Sequence, residues 1–427
     1  MANNFIRRST IAFLIVASLP VAFVIIKLQE SRQQRDYLDP QVTLTQGSVE
    51  RGRYVAIAAD CAACHTAPGG EKPFAGGYPI NTPFGQIIST NITPDLQTGI
   101  GSWNEQDFIR AVKFGKRQSG ENLYPAMPYT SYNKMSDSDL HDLWAYMRSV
   151  PAINNIPPET ALPFPFNFRF ALTGWNMLFF HDGPFTPDEM KSKEWNRGSY
   201  LVNALAHCSV CHTQKNIMGG DSSNYLQGGD LRQWFAPDIT NNRITGIGRW
   251  TREQLVEYLK TGSNHISVAS GPMAEVVSAS TQFMSDGDLN NIAEYLQSVD
   301  GKAELKQIAI APGNPSYLAG SVVYKNNCAS CHRANGKGFP KVAAGLAQSS
   351  NVSSENPASL IATILNGSKG ISTAQKRSAG VMPSFATKLS NQQIADVLTY
   401  VRNSWDNSAS VISETDVAKH RELLIAR

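Results

Sequence analysis

A chain of 427 residues is too long for one small domain and fits roughly three units of about 100–150 residues each. Its hydrophobic share of 42% can fill several cores, and only 17% of the residues are charged. A net charge of +3, with no Lys/Arg run and no basic–aromatic stripe, gives no reason to expect a nucleic-acid partner.

The N-terminus carries Arg7-Arg8 and then an uncharged run over residues 9–26. Eighteen helical residues reach roughly 27 Å, close to the hydrocarbon thickness of a bilayer. A cleaved signal peptide and a retained signal anchor compete for this pattern. No small-x-small site closes the run: Pro20 takes the −3 place for a cut after Ala22, and Ile15 does so for a cut after Ala17. A cut after Ser18 would leave an apolar stub. The reading is a transmembrane anchor over 9–28, with 1–8 a cytoplasmic stub and everything after it exported. That places the folded part on the periplasmic side of a bacterial inner membrane.

Behind a polar tether, 29–47, the first unit (48–152) opens with Arg51-Gly52-Arg53-Tyr54 and reaches Cys61-Ala62-Ala63-Cys64-His65. Gly and an aromatic just ahead of that motif suit a close helix crossing, Gly permitting the approach and the ring filling the space beside it. Asn91-Ile92-Thr93 and Ile100-Gly101-Ser102-Trp103 follow. After the Trp, a polar residue, Glu and a 3.6-residue period predict a helix through Phe108. Ser136-Asp137 then caps a closing helix whose stripe runs through Leu140, Leu143 and Tyr146.

The linker 153–190 holds Phe164, Phe166, Phe168, Phe170, Trp175, Phe179 and Phe180, too aromatic for a disordered spacer. Either it packs across the first two units, or it is a docking surface for a partner subunit or the membrane interface. The second unit (191–300) repeats the first: Arg197-Gly198-Ser199-Tyr200, Cys208-Ser209-Val210-Cys211-His212, Asp238-Ile239-Thr240, Ile247-Gly248-Arg249-Trp250, and a closing helix after Ser285-Asp286. A short linker, 301–314, leads to a compact third unit (315–405). It has Gly320, Tyr324 and Cys328-Ala329-Ser330-Cys331-His332, with a closing helix after Ser390-Asn391. The tail, 406–427, is polar with a weak amphipathic stretch at 417–425.

Cys-x-x-Cys-His is the attachment signature of c-type haem, and its three copies use all six cysteines. Two intervening residues let one helical turn offer both thiols to the porphyrin edge, with the adjacent His as proximal ligand. A zinc knuckle would need a second ligand pair close in sequence, and a redox dithiol a βαβ setting. The reading is three covalent haems on Cys61/Cys64, Cys208/Cys211 and Cys328/Cys331, with His65, His212 and His332 on iron.

A haem that only carries electrons has both axial places filled, and Met opposite His raises its potential. Met127 lies in Pro125-Ala126-Met127-Pro128 and Met382 in Gly380-Val381-Met382-Pro383; Pro after Met keeps the preceding backbone extended, which suits a ligand offered from a loop. Met273, in Gly271-Pro272-Met273-Ala274, departs from that pattern, but it follows Cys208 by 65 positions where Met127 follows Cys61 by 66. Met135 and Met284 directly precede helix caps and read as core. His207 reads as pocket wall, and His265 is the alternative ligand outside the Met set.

These motifs, in this order over nearly all of 47–405, resemble the triple-haem cytochrome c subunit of bacterial membrane-bound dehydrogenases of the alcohol, gluconate, sorbitol and fructose type. The fold class expected is mainly α, three tandem class-I cytochrome c domains behind an N-terminal transmembrane helix. The resemblance implies a separate catalytic subunit holding FAD or pyrroloquinoline quinone (PQQ), with a sugar acid, sugar or alcohol as substrate (gluconate type favoured), and electron delivery to ubiquinone. No nucleophile–base or acid–base constellation appears, so the chain is expected to oxidise nothing by itself. A peroxidase-like haem enzyme and a cytochrome subunit feeding a terminal oxidase are the alternatives.

Overall fold

The computed structural model describes residues 45–302, 310, 313–339, 342–375 and 380–425. The anchor expected over 9–28 lies outside them; among the described residues no helix is long and apolar enough to cross a membrane.

Three units follow one plan. Unit 1 has α1 (Gln46–Ala58), the motif turn α2 (Cys61–His65), the hairpin β1 (Pro79–Thr82)/β2 (Gly85–Ile88), α3 (Glu105–Phe114), α4 (Tyr129–Tyr132) and the closing helix α5 (Asp137–Ser149). Helix α6 (Ala171–Phe179) lies in the linker. Unit 2 has α7 (Lys193–Tyr200), the motif turn α8 (Ser209–His212), β3 (Gln227–Leu231)/β4 (Trp234–Asp238), α9 (Arg252–Thr261), α10 (Pro272–Ala279) and α11 (Asp286–Ser298). Unit 3 has α12 (Pro315–Asn327), α13 (Ala329–His332), α14 (Ser350–Ser353), α15 (Ala358–Asn366), β5 (Ser368–Lys369)/β6 (Val381–Met382) and α16 (Asn391–Val401); α17 (Glu414–Ile425) follows.

In each unit the closing helix starts at a serine whose side chain accepts a hydrogen bond from the third residue on: Asp139, Asp288 or Gln393. Its apolar stripe is buried, with Leu140, Leu289 and Ile394 fully enclosed. The opening helix crosses it at a glycine. A Cβ on Gly52 would stand 1.7 Å from the Asp142 carbonyl oxygen, one on Gly198 would stand 1.9 Å from that of Asn291, and one on Gly320 2.0 Å from that of Asp396. Tyr146, Tyr295 and Tyr400 occupy the same place at the three crossings. Unit 2 has one residue more than unit 1 between this glycine and its first cysteine. A π-helical turn (Leu201–Leu205) takes up the difference, Ala206 N–H donating to the Leu201 carbonyl at 2.7 Å.

The aromatic ahead of the motif behaves otherwise than expected. Tyr54 and Tyr200 do not fill their own crossings; they reach across and cap each other's closing helices. Ser285 N–H donates to Tyr54 Oη at 3.0 Å, and Tyr54 donates to Asp288 at 2.8 Å. Ser136 N–H donates to Tyr200 Oη at 3.0 Å, and Tyr200 donates to Asp139 at 2.6 Å. Burial would raise the Asp288 carboxyl, but bonds from Arg197 and Tyr54 overcome it and hold the group below the ordinary carboxylate range. Units 1 and 2 also share one hydrophobic core that includes Leu140, Leu205, Met284 and Leu289. Tyr54→Phe and Tyr200→Phe should each cost about 1 kcal/mol, since each strips a capping acceptor from the other unit's helix. Urea midpoints of the haem-loaded chain check this, and a midpoint equal to wild type for both variants counts against the reciprocal caps.

Unit 3 keeps cores of its own, around Ile361, Ile394 and Leu398 and around Tyr324, Val352 and Val397. Tyr324 does stay inside its unit, its ring 5.3 Å from Tyr400. The tail beyond the expected boundary at 405 packs back on the unit. Val417 of α17 is fully buried in its core, and Arg421 donates to Asn391 at 2.8 Å. In that weakly amphipathic stretch a single residue, Val417, supplies the buried contact. Unit 3 meets unit 2 at β4: Phe235 N–H donates to Ser359 Oγ at 2.9 Å, and Ser359 returns a bond to the Phe235 carbonyl at 2.8 Å.

Candidate haem sites

Each Cys-x-x-Cys-His segment forms one helical turn, which brings the two thiols, three residues apart, to one face. All six thiols are unpaired. Burial pushes Cys61, Cys64 and Cys208 up to about 12 and Cys328 to about 11. A redox dithiol works through a depressed thiol, so these turns are unsuited to that chemistry. Among the described residues no group of three or more His, Cys, Asp or Glu is placed to hold a metal ion by itself.

The three histidines share one arrangement. His65 Nδ1 lies 2.8 Å from the Thr90 carbonyl, His212 Nδ1 2.7 Å from that of Pro237, and His332 Nδ1 3.0 Å from that of Ala344. A carbonyl only accepts, so each bond puts the proton on Nδ1 and leaves the Nε2 lone pair for a metal. Burial holds all three imidazoles below their ordinary pKa, against the opposing pull of the carbonyl. Two thiols on one face and one oriented imidazole per turn are the donor set that haem c requires. The residues present fit that group.

Sequence reasoning missed the three carbonyls, because a backbone acceptor has no residue type. A signal existed for two of them. The repeated Asn/Asp-Ile-Thr segments begin one residue after Thr90 and Pro237. Asn91 Oδ1 accepts from Thr93 N–H at 2.9 Å, and Asp238 Oδ1 from Thr240 N–H at 2.8 Å. These tight turns fix the carbonyl just before them. The Ile-Gly-x-Trp segment then folds back, Ile100 and Ile247 N–H each donating at 2.9 Å to the carbonyls of Thr93 and Thr240.

The three methionines sit in three different local structures. Met127 is in a turn, its N–H bonded to the Tyr124 carbonyl at 3.0 Å and its own carbonyl accepting from Tyr129 at 2.8 Å. Met382 is not in a loop: it belongs to β6, paired with Ser368 of β5, and packs on the unit 3 core. Met273 is in the first turn of α10, after Pro272, where its missing N–H needs no partner. Met135 and Met284 are fully buried in the shared core. His265 is exposed, its Nε2 3.4 Å from Gln254 Nε2. His207 is edge-on to Tyr132 with ring centroids 5.5 Å apart, and burial pushes it down to about 4.

Units 1 and 2 bring their motif turns to a common junction. Helix α10 packs against α2, and Tyr78 donates to Glu275 of α10 at 2.6 Å. Cys211 lies near enough for its charge to raise Cys64. Asp60, buried beside Cys61, has one carboxyl oxygen without a partner there; burial first, then Glu275, raises this group well above its ordinary value.

A thiol pair and a carbonyl-held imidazole on one turn, inside a unit closed by crossing helices, define a c-type cytochrome. The family model for cytochrome c matches residues 49–151 and 317–405. The chain is 39% identical to the fructose dehydrogenase cytochrome subunit of Gluconobacter japonicus, over 88% of this chain and 82% of that one. It is 37% identical to the gluconate 2-dehydrogenase cytochrome c subunit of Pantoea cypripedii (88% and 89% covered) and 37% to the alcohol dehydrogenase (quinone) cytochrome c subunit of Gluconobacter oxydans (87% and 82%). The chain belongs to this family of dehydrogenase cytochrome c subunits. It carries covalent haem c and transfers electrons; it is not the catalytic subunit.

Proposed function

We propose that the chain is a three-haem wire, one haem per unit including the middle one. On this reading it takes electrons from a periplasmic catalytic subunit holding FAD or PQQ and passes them to ubiquinone in the inner membrane. A sugar acid, sugar or alcohol is the substrate class, the gluconate type favoured, and residues 9–28 anchor the chain. The junction of the first two motif turns carries the reading, because fixed, short separations speed successive transfers.

Haem c, when bound, supplies reversible one-electron iron chemistry. The chain's residues do the rest. Cys61/Cys64, Cys208/Cys211 and Cys328/Cys331 hold the group covalently. His65, His212 and His332 would bind iron through Nε2, each kept in one tautomer by its carbonyl. Met127, Met273 and Met382 would supply the remaining iron ligands, which would leave no iron open to peroxide or substrate. Between units 2 and 3 the backbone itself is the strut. The Pro237 carbonyl that holds His212 follows the Phe235–Ser359 bonds by two residues. A side chain at Gly345, next to the Ala344 carbonyl that holds His332, would lie 3.7 Å from the carbonyls of His265 and Ile266.

The test is to purify the chain alone and with its catalytic subunit. Haem content should be three per chain, and an alcohol, sugar or aldonate should reduce the haems only when the catalytic subunit is present. Substrate-driven reduction by the chain alone, or peroxide turnover at peroxidase rates, overturns the wire.

A further inference from the structure

The linker splits its aromatic residues between two faces. Phe180 packs inward on Phe114 and Tyr129, with ring centroids 6.5 and 5.8 Å away, and Phe185 packs on Tyr200 at 5.3 Å. Phe164, Phe166, Phe168 and Phe170 stand exposed on the other side with Met177 and Leu178 of α6, Phe164 being 85% exposed. Unit 2 extends this face through Ile217, 95% exposed, and Met218, whose carbonyl accepts from Trp175 Nε1 at 2.8 Å. The backing is rigid. Tyr124 donates to the Phe166 carbonyl at 3.0 Å, Tyr129 to Asn176 at 2.8 Å, and Asn122 to Thr173 at 3.1 Å.

Charge selects the occupant. From 164 to 180 the chain has no carboxylate and a single cation, Arg169. That guanidinium lies 4.3 Å from the Tyr124 ring centroid and donates to the Asn122 carbonyl at 2.9 Å, so it sits at the rim of the face. Exposed Phe, Met, Leu and Ile, with Arg169 at the rim and Arg117 and Glu121 near enough to act on its charge, carry no net negative charge beside the face and suit the headgroup region of an anionic bilayer. A protein interface of this size would carry about one hydrogen bond per 100–200 Å², and this face offers few polar groups to make them. Helix α6 has nine residues, about 13 Å, too short to span the hydrocarbon, so it can only lie along the surface. The tether ahead of α1 reaches up to about 65 Å. It can bring any face to the membrane and selects none, whereas the linker face does select.

We propose that this face of the linker, with Ile217 and Met218, is an interfacial membrane-binding surface that seats its phenylalanine rings at the headgroup level of an anionic bilayer. It acts in addition to any span over 9–28 and stands whether or not that segment is retained. Seated this way, the segments that border the face in both units, the turn of Met127 and Ile217-Met218 after His212, come toward the bilayer surface and so toward a lipid-dissolved acceptor. That corollary rests on the function proposed above; the binding face does not.

The test places a nitroxide at Phe168→Cys, and separately at Val411→Cys on the exposed tail, in the full haem-loaded chain on phosphatidylcholine–phosphatidylglycerol vesicles. Collision rates with lipid-soluble oxygen and with a water-soluble nickel chelate are compared. The oxygen-to-chelate ratio at 168 should exceed that at 411 several-fold. Water-like ratios at both positions overturn the proposal. So does protection of 168 that appears only when the catalytic subunit is added, which would make the face a protein interface. Should Phe168→Cys fail to load haem, Ile217→Cys reads the same face.

Discussion

Gly198→Ala should unfold units 1 and 2 together and leave unit 3 standing. The added methyl would sit 1.9 Å from the Asn291 carbonyl oxygen, 2.6 Å from its carbon and 2.9 Å from Tyr295 Cβ. Backbone and a Cβ cannot rotate away, so α7 and α11 must separate. Overpacking ordinarily costs about 1–3 kcal/mol, and a clash with rigid backbone belongs at or above the top of that range. The gain of about 1 kcal/mol in helix propensity does not offset it. The Cys208–His212 turn follows α7 directly, so its haem loading should fall as well. The shared core carries the damage into unit 1, whereas unit 3 has cores of its own. Gly52→Ala should lower the same transition, and Gly320→Ala a separate one. Gly174→Ala is the control: nothing lies within 4 Å of a Cβ there, and the same propensity term should make it neutral or slightly stabilising. Denaturant unfolding followed at the haem band and by circular dichroism separates the transitions. A Gly198→Ala chain with wild-type midpoint and haem content would disprove the crossing.

That crossing was legible in advance because glycine spacing ahead of a fixed motif is a local signal, and helix approach is a local consequence. What the same helices meet on their outer side was not legible. Tyr54 and Tyr200 occupy equivalent places in two repeats, and nothing in either repeat says that each ring serves the other unit. An i, i+3, i+7 stripe such as Leu289, Ile292 and Leu296 marks a buried face without naming its partner, so the core that units 1 and 2 share was not legible from their stripes. The histidine-holding carbonyls were hidden for a different reason, since a peptide oxygen belongs to every residue. Only the Asn91-Ile92-Thr93 and Asp238-Ile239-Thr240 turns hinted at them. The linker yielded half its meaning: aromatic content declared it ordered, but which rings turn inward depends on where Phe114, Tyr129 and Tyr200 lie. In α17 one buried residue, Val417, matters more than the mean character of the stretch.

Replacing the axial candidates one at a time should give the largest change in electronic properties while leaving the haems attached. Met127→Ala, Met273→Ala and Met382→Ala keep every cysteine and every carbonyl-held histidine, so three haems per chain should remain. Each variant should lose one Met–iron absorption contribution. One potential should fall by a substantial part of the roughly 0.8 V that axial ligands span, because a thioether favours reduced iron and water or a stray ligand does not. The three environments predict different side effects. Met382 is one of two residues in β6, so its loss should loosen the β5–β6 pair. Met127 is held at both its N–H and its carbonyl, and the turn should survive without the side chain. Met273 starts α10, which packs on the first motif turn, so its variant should also disturb the neighbouring unit. Met284→Ala is the opposing case: fully buried in the shared core, it should cost about 2–5 kcal/mol through its cavity and keep every Met–iron contribution. Spectra that lose a Met–iron contribution in Met284→Ala and keep all of them in Met273→Ala would transfer the second ligand to Met284. The reverse result leaves α10 as the element that both ligates one haem and walls off the other.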